Sequence, residues 1–327
     1  MTLDIIVPHY KEPWSLCKYL FDSIAMQELI DWNDIKVIVI NDGTDVVLDD
    51  TLFNRYPYQV DYVIKTNAGV SAARNFGLDC ATADYVMFCD ADDGFLSNLA
   101  LFLLFKEMND GRPTMINPAF IEESQLTIKD VTQFIVIHQA DATYIHGKCY
   151  RRDFLVDNDI RFPDGANLHE DLYFNSLAIA IGKDEIREIS NPLYLWRWNK
   201  NSVVRHESDF LIRNYPALVD MWKRVCDWTK AHGYELEYKA CLCKFVISAF
   251  YTFQLASFMS ARNEKNRRIA ERAVAEWYRS IRKDFYACGE QMISEFVKVL
   301  RKDAELNGLL FERIDLNSWL THLDKVK

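Results

Sequence analysis

Short apolar runs alternate with helical patterns over the first hundred residues. The apolar runs are Leu3–Pro8, Ile35–Ile40, Val60–Ile64 and Tyr85–Cys89. Each has the length and composition of a buried strand. Between them, residues 14–27 and 70–80 place apolar side chains three and four positions apart, which predicts helices. Strands that alternate with helices imply right-handed crossovers and a mainly parallel sheet, so we expect a doubly wound α/β fold here.

The pattern changes towards the C-terminus. Residues 98–108 predict another helix, and residues 114–137 predict two or three extended runs. From about Asp209 onward, apolar residues recur every three or four positions, as in core-facing helices. Residues 240–259 are long and apolar enough for a membrane span, but interspersed polar residues such as Lys244 favour a buried helix. We therefore expect an α/β domain over residues 1–204 and an all-α domain over residues 205–327.

Composition limits the function classes. The chain has 327 residues, of which 50% are hydrophobic, so a large core can form. Its net charge of −10 argues against a protein that simply coats nucleic acid. No signal-peptide pattern occurs, and the eight cysteines have no zinc-ligand spacing. We expect a cytoplasmic protein with reduced thiols.

Three carboxylates directly follow the fourth apolar run. They are Asp90, Asp92 and Asp93. Carboxylates at the carboxyl end of a buried strand repel one another, and this is the place where open α/β sheets bind ligands. Asp90 and Asp92 would suit a hard divalent ion such as Mg²⁺ or Mn²⁺. A solvated acidic turn is the alternative, because an isolated D-x-D is a weak motif.

Several other chemistries lack their motifs. No G-x-G-x-x-G follows the first strand, and no G-x-x-x-x-G-K-[ST] occurs. Dinucleotide and P-loop nucleotide sites therefore lose their main support. No recognisable Ser/His or Cys/His motif indicates a covalent nucleophile.

The stretch N-A-G-V-S-A-A-R-N at residues 67–75, followed by a strand and D-A-D-D at residues 90–93, resembles the family-2 glycosyltransferases. The resemblance covers about residues 3–204 and implies the GT-A fold. It also implies a nucleotide-sugar donor, in particular a UDP-sugar, with Mn²⁺ or Mg²⁺ bound by Asp90 and Asp92. The residues that it places around the nucleotide are Pro8, Tyr10, Asp42, Asn67, Arg74 and Asp90.

Asp42 and Arg74 are the two nucleotide-site assignments for which a specific contact can be named. The resemblance places Asp42 where the family hydrogen-bonds a uracil edge, although Asn41 stands where the family usually has a further Asp. A guanidinium such as that of Arg74 matches phosphate or carboxylate oxygens well. The alternatives are an Asx turn for Asp42 and a surface helix arginine for Arg74.

Residues 146–175 resemble a second block of the family. In that block, an acidic pair, here Glu170-Asp171, opens a helix. The resemblance implies that Asp171 is the catalytic base, with Glu170 and His169 as neighbours that orient it. Simple capping of the helix N-terminus is the alternative. His206 could complete a metal shell, as a histidine does in some relatives, or be an ordinary surface residue.

The sequence thus predicts a metal-dependent inverting glycosyltransferase, whose acceptor is a cell-surface glycan or its lipid-linked precursor. One alternative is transfer to hydroxylated bases of DNA, as in viral DNA modification, and another is an inactive nucleotide-sugar binding protein. Residues 1–204 carry a formal charge of −14 and residues 205–327 one of +4. The basic segment 262–283 is therefore a candidate docking patch for DNA or for the inner face of the membrane. A solvated helix face is the simpler interpretation of that segment.

Overall fold

The computed structural model describes residues 1–126, 131–137, 143–166, 168–199, 210–255, 263–306, 309 and 312–327. It divides into two compact units, Met1–Asn199 and Lys200–Lys327. The boundary predicted after residue 204 and the candidate metal ligand His206 both lie outside the described residues.

The N-terminal unit is a sheet with flanking helices. The strands are β1 (Leu3–His9), β2 (Ile35–Asp42), β3 (Gln59–Lys65), β4 (Tyr85–Phe88), β5 (Gly94–Phe95), β6 (Met115–Leu126), β7 (Val131–Ile137), β8 (Cys149–Arg151) and β9 (Ile186–Trp196). The helices are α1 (Trp14–Ala25), α2 (Val70–Cys80), α3 (Ala100–Asn109), α4 (Arg152–Asp157) and α5 (Glu170–Gly182).

The sheet has a parallel part and a mixed part. Its strand order is β3-β2-β1-β4-β8-β6-β9-β5, and β7 pairs with β6. Strands β3, β2, β1 and β4 are mutually parallel, as the alternating pattern predicted. Strands β8, β7 and β5 join their neighbours antiparallel, whereas β6 and β9 run parallel to each other. The result is a mixed nine-stranded sheet.

The central strands are buried because helices cover both faces of the parallel part. All four residues of β4 are buried, and Leu3, Ile5 and Ile6 of β1 have no exposed surface. Helix α2 crosses closely above them, since a Cβ added at Gly77 would lie 2.3 Å from the Ile6 side chain. A larger residue at position 77 would therefore push α2 away from the sheet, and with it the side chains that α2 carries towards the sheet edge.

The second unit is helical, as the spacing of apolar residues at every three or four positions predicted. Its helices are α6 (Phe210–Ala231), α7 (Glu235–Thr252), α8 (Glu264–Tyr286), α9 (Glu290–Leu306) and α10 (Leu316–Leu323). Helix α7 contains most of the long apolar stretch, with Phe245, Val246 and Phe250 almost fully buried. Among the described residues, no helix is both long and apolar enough to cross a membrane.

Candidate active site

Three neighbouring parallel strands end at the same edge of the sheet. In the register of the sheet His9 lies beside Asn41, and Ile6 lies beside Phe88. The segments that follow β1, β2 and β4 therefore meet at one edge. They bring together Tyr10, Asp42 and the acidic run that starts at Asp90. This is where an open α/β sheet binds its ligands.

Asp42 organises the turn before α2. Its carboxylate accepts hydrogen bonds from the main-chain N–H groups of Ala68 (3.0 Å) and Gly69 (2.8 Å), and Lys65 Nζ lies 2.6 Å away. Asn67 closes the same turn by donating from Nδ2 to the main-chain oxygen of Asp42 at 2.8 Å. Both carboxylate oxygens of Asp42 thus hold the protein's own turn, and its contact with a uracil edge stays a prediction.

Arg74 is a buried cation that joins three carboxylates. It lies in the first half of α2 and is 3% exposed. Its guanidinium lies 2.7 Å from Asp171, 2.9 Å from Glu170 and 3.0 Å from Asp90. Burial alone would lower the Arg74 pKa, but these carboxylates raise it, so the side chain stays charged. The face of the Phe162 ring lies 5.2 Å from the guanidinium.

Asp171 lies in the first turn of α5, facing α2. Its Oδ1 binds Arg74, and its Oδ2 accepts a hydrogen bond from the Ile145 N–H at 3.2 Å. Burial raises the pKa of Asp171 to about 7, with Arg74 opposing this rise and Glu170 adding to it. A carboxylate with a pKa near neutrality is well matched to the role of a general base.

The residue before this helix has an unusual backbone. His169 adopts the left-handed conformation (φ 60°) at the N-cap of α5. A non-glycine residue in that region stores backbone strain, which often occurs at functional sites. Burial lowers the pKa of the His169 imidazole, which favours its neutral form beside the acidic pair.

The acidic loop after β4 is held by residues at the end of β9. The Tyr194 hydroxyl donates to Asp93 Oδ2 at 2.9 Å, and the Arg197 N–H donates to Asp93 Oδ1 at 2.9 Å. Asn199 Nδ2 donates to Asp92 Oδ2 at 2.6 Å. Burial raises the pKa of Asp92 and, more strongly, that of Asp93, and the neighbouring carboxylates add to both shifts. Such crowding of carboxylates would be relieved by a cation.

Asp90 behaves differently from its two neighbours. Burial would raise its pKa, but Arg74 holds that pKa below the ordinary value. Within the described residues, one group of three or more side chains could together bind a metal ion: Asp90, Asp93 and His146. Their ligand atoms lie within 4.8 Å of one another. The His146 ring stacks on Trp196 at 4.8 Å and lies 3.8 Å from the Asp93 carboxylate. The structure therefore gathers Asp90 with Asp93 and His146, while Asp92 turns towards Asn199.

The chain resembles known proteins in both sequence and fold. The family model described as "Glycosyl transferase family 2" matches residues 4–167, half of the chain. The chain belongs to glycosyl transferase family 2. The predicted family and enzyme class are thus confirmed. The matched segment ends at residue 167, before Asp171, so the family match does not bear on the role of Asp171.

Individual relatives of this family-2 chain are distant. The uncharacterized glycosyltransferase EpsJ of Bacillus subtilis is 26% identical over 225 residues, 62% of each chain. The poly(ribitol-phosphate) beta-N-acetylglucosaminyltransferase TarS of Staphylococcus aureus is 25% identical over 210 residues, 60% of this chain and 35% of TarS. The matches thus span less than two thirds of the length of these relatives.

Solved structures support the GT-A fold. S. aureus TarS 1-349 in complex with UDP-GlcNAc superimposes with a TM-score of 0.55 at 17% identity, over 94% of this chain and 92% of that one. The mannosyltransferase PcManGT from Pyrobaculum calidifontis, in complex with GDP-Man and Mn²⁺, gives 0.50 at 16% identity, over 99% and 84%. At these identities the likeness concerns the fold.

In this family-2 fold, the predicted site residues are all at or beside one sheet edge, but they do not form one cluster. Pro8 is near the end of β1, and Tyr10, which is 42% exposed, begins the segment after this strand. Glu12 stabilises this segment by accepting from the Tyr10 and Lys11 N–H groups at 2.9 and 3.2 Å. The structure joins Arg74, Asp90 and Asp171 through ion pairs, whereas Asp42 forms a separate cluster with the turn before α2.

The sequence did not predict three of the contacts that build this site. Glu170 is a direct partner of Arg74, His146 lies beside Asp93, and Tyr194 bridges the acidic loop to β9. The partners in these pairs are 96, 53 and 101 positions apart in the sequence. For the Tyr194 contact, the available signal was the aromatic end of β9, which is followed by Arg197 and Asn199.

Two arginines of the basic segment 262–283 form hydrogen bonds within the helical unit itself. Arg279 on α8 donates to the main-chain oxygens of Leu323 (3.0 Å) and Val326 (2.9 Å), just after α10. Arg272 donates to the Lys327 main-chain oxygen at 3.0 Å. Cations are favoured at a helix C-terminus, so Arg279 stabilises the end of α10, whereas Arg272 binds the segment that follows this helix. A docking role for segment 262–283 stays a prediction, and its first residue lies outside the described ones.

Proposed function

We propose that this family-2 chain transfers a sugar from a UDP-sugar to an acceptor hydroxyl of a glycan, with inversion at the anomeric carbon. The observation that carries the proposal is the ion-pair cluster in which Arg74 connects Asp171 to Asp90. In this cluster a single cation at the sheet edge, Arg74, binds both the candidate base, Asp171, and the first residue of the acidic loop, Asp90. The structure of TarS with UDP-GlcNAc supports the choice of donor.

In the proposed reaction, Asp171 does the proton chemistry. Its carboxylate takes the proton of the acceptor hydroxyl while the acceptor oxygen bonds to the anomeric carbon. The bond from that carbon to the diphosphate breaks, and UDP leaves from the opposite face. One displacement at carbon inverts its configuration and requires no covalent enzyme intermediate.

The cofactor in this proposal is Mn²⁺ or Mg²⁺, held by Asp90 and Asp92. Carboxylate oxygens suit these hard cations, and the crowding that raises the Asp92 pKa fits a cation there. When bound, such an ion neutralises charge on the diphosphate leaving group. PcManGT, which has a similar fold, was crystallised with Mn²⁺.

The structure also indicates a different ligand set, Asp90 with Asp93 and His146. Asp93 is 1% exposed and already accepts hydrogen bonds from Tyr194 and Arg197, whereas Asp92 is more exposed. A metal shared with a substrate diphosphate must be reachable from solvent. We therefore assign Asp92 to the metal, and Asp93 to holding the loop against β9.

For the acceptor, we propose a glycan or polyol phosphate polymer, or its lipid-linked precursor, at the cytoplasmic side of the membrane. TarS is named for transfer to poly(ribitol-phosphate), which supports this class. No observation favours hydroxylated DNA bases over it. The inactive binding protein is less well supported, because Asp90, Asp92 and Asp171 all retain their carboxylates.

Isothermal titration calorimetry with UDP tests the donor and metal parts together. We expect UDP to bind with Mn²⁺ or Mg²⁺ and to lose most of that affinity in EDTA. Asp92→Asn should abolish the metal-dependent part of binding while leaving the thermal stability nearly unchanged. Asp93→Asn is the matched comparison and should lower stability, since an amide has a single acceptor oxygen and cannot accept from both Tyr194 and the Arg197 N–H. Equal UDP affinity with and without metal would contradict the metal role, and a metal effect lost in Asp93→Asn but kept in Asp92→Asn would move the site to Asp93.

A further inference from the structure

Four of the eight cysteines lie in the helical unit, and they form two close pairs. Cys226 on α6 lies beside Cys241 on α7, and Cys243 on α7 lies beside Cys288, which follows α8. All four are free thiols. Within the described residues, no three of them approach closely enough to bind a metal together. The chemistry that fits this arrangement is therefore that of thiol pairs.

The Cys226–Cys241 pair belongs to a ladder of contacts between two antiparallel helices. Helices α6 and α7 are joined by a short turn, residues 232–234. The contacts that define the ladder are Lys230 over the Tyr238 ring at 4.8 Å, Lys244 over the Trp222 ring at 5.7 Å, and Tyr215 against Phe253 at 5.4 Å. From the first contact to the last, 15 positions back along α6 are matched by 15 positions forward along α7, as expected for antiparallel helices. Position 226 lies between Trp222 and Lys230 on α6, and position 241 lies between Tyr238 and Lys244 on α7, so the two cysteines face each other across the hairpin.

The two thiols of this pair differ in access and in acidity. Cys226 is 1% exposed, whereas Cys241 is partly exposed. The interaction with Cys226 lowers the pKa of Cys241, and nearby Lys244 lowers it further, against the opposing effect of burial. The interaction with Cys241 and burial both raise the pKa of Cys226. Cys241 thus has more thiolate character, and the thiolate is the form that reacts with oxidants.

The geometry points to Cys226 and Cys241 as a redox-active pair, in which a peroxide oxidises Cys241 and Cys226 closes a reversible disulfide between α6 and α7. This site lies in the helical unit and is independent of the proposed sugar transfer. Cys241 differs from cysteines outside the pair, because the pKa values of Cys80, Cys243 and Cys288 are all raised.

The reaction is balanced with hydrogen peroxide as the oxidant. The Cys241 thiolate attacks one peroxide oxygen, the O–O bond breaks, and the released hydroxide is protonated to water. The Cys226 sulfur then attacks the sulfur of the Cys241 sulfenic acid, and the thiol proton leaves with the hydroxyl group as a second water. In total the two thiols lose two electrons and two protons, and the peroxide is reduced to two waters. A dithiol reductant reverses the change by thiol–disulfide exchange.

Peptide mass spectrometry on the full chain tests this inference. The reduced protein is treated briefly with limiting hydrogen peroxide, its remaining thiols are alkylated, and disulfide-linked peptides are mapped. We expect the first linked peptides to join Cys226 to Cys241, and the link to disappear after reduction with dithiothreitol. In Cys226→Ser, Cys241 should instead accumulate as a sulfenic acid that dimedone traps. Cys243→Ser, a matched buried substitution in the second pair, should leave the Cys226–Cys241 link unchanged.

A second measurement needs no variant and so does not depend on the folding of Cys226→Ser. Iodoacetamide should alkylate Cys241 of the native, reduced protein several-fold faster than Cys80, which is also partly exposed. The inference is overturned if Cys241 reacts no faster than Cys80. It is also overturned if the first disulfide joins other cysteines, or if limiting peroxide leaves Cys226 and Cys241 reduced.

Discussion

Two opposed influences act on the Asp171 carboxyl. Burial raises its pKa, while the Arg74 guanidinium at 2.7 Å lowers it, and the balance lies at about 7. Near neutral pH such a group is ionised in a large share of molecules, yet it is basic enough to accept a proton in the transition state. A solvent-exposed aspartate, with a pKa of about 4, would be a much weaker base.

This balance predicts the pH dependence of turnover. A general base acts in its deprotonated form, so kcat should fall as the pH drops through the Asp171 pKa of about 7 and level off above it. The fall should be about tenfold per pH unit on the acid side. A pH profile of the transfer rate at saturating donor and acceptor measures this. A rate that is constant on both sides of neutral pH would contradict the assignment of Asp171.

Arg74 should affect both stability and this pH profile. Arg74→Met leaves three carboxylates close together without their cation, which we expect to cost about 3–5 kcal/mol of unfolding free energy. It also removes the influence that lowers the Asp171 pKa, so the acid limb of the pH profile should move to higher pH. Arg74→Lys keeps the charge but cannot contact three carboxylates with a planar fork, and its effects should be intermediate.

The comparison for Arg74 is an exposed ion pair. Arg161 binds Asp79 of α2 at 2.6 Å, and the two side chains are 33% and 59% exposed. Arg161→Met should cost at most about 1 kcal/mol and leave the pH profile unchanged. Chemical denaturation and the pH profile of each variant measure these effects. If Arg74→Met were as mild as Arg161→Met, the ion-pair cluster would not organise the site.

At the scale of elements, the turns at the sheet edge matter as much as the strands. Gly43 follows β2 with φ at 71°, and a Cβ there would lie 2.4 Å from the Asn67 nitrogen. This close approach lets Asp42 receive the main-chain N–H groups that precede α2. Glycine is needed at position 43 for both its backbone conformation and its lack of a side chain.

Gly43→Ala should therefore displace the turn before α2 and weaken UDP binding. Gly111→Ala provides a matched control, because Gly111 has a similar φ of 80° but no neighbour within 4 Å of its added Cβ. The control should cost about 1–2 kcal/mol from backbone strain, and Gly43→Ala should cost more. Denaturant unfolding and UDP calorimetry measure the two effects. If Gly43→Ala and Gly111→Ala were equally destabilised and Gly43→Ala kept its UDP affinity, the close approach of Gly43 to Asn67 would not be important for the site.

Much of the α/β fold could be predicted from local sequence patterns. Helix α2 has the predicted bounds, Val70–Cys80, because a turn precedes it and its apolar spacing is regular. The four parallel strands also lie where the apolar runs predicted them. The pairing of β6 with β8 and β9 could not be predicted, since it depends on contacts between distant segments. The same limit applies to the site, where chemistry was assigned residue by residue but the partners of Arg74 were not.

At the scale of the whole molecule, the two units differ in charge. The acidic catalytic part carries buried carboxylates that need cations, whereas part of the positive charge of the helical unit stabilises the end of α10. Some of the charged side chains on each side of this asymmetry are thus used within their own unit. An anionic acceptor near α8 would use the cations that remain, such as Lys283.

The central claim is that Asp171 is the base of a sugar transfer whose donor binds independently of it. The most direct test is the release of UDP from a panel of UDP-sugars with Mn²⁺ and a candidate glycan acceptor, for the native protein and Asp171→Asn, together with donor affinity by calorimetry. The account predicts a loss of about 10²–10⁴-fold in turnover with unchanged donor affinity, because the substitution keeps the shape and removes the base. Near-native turnover by Asp171→Asn would contradict it.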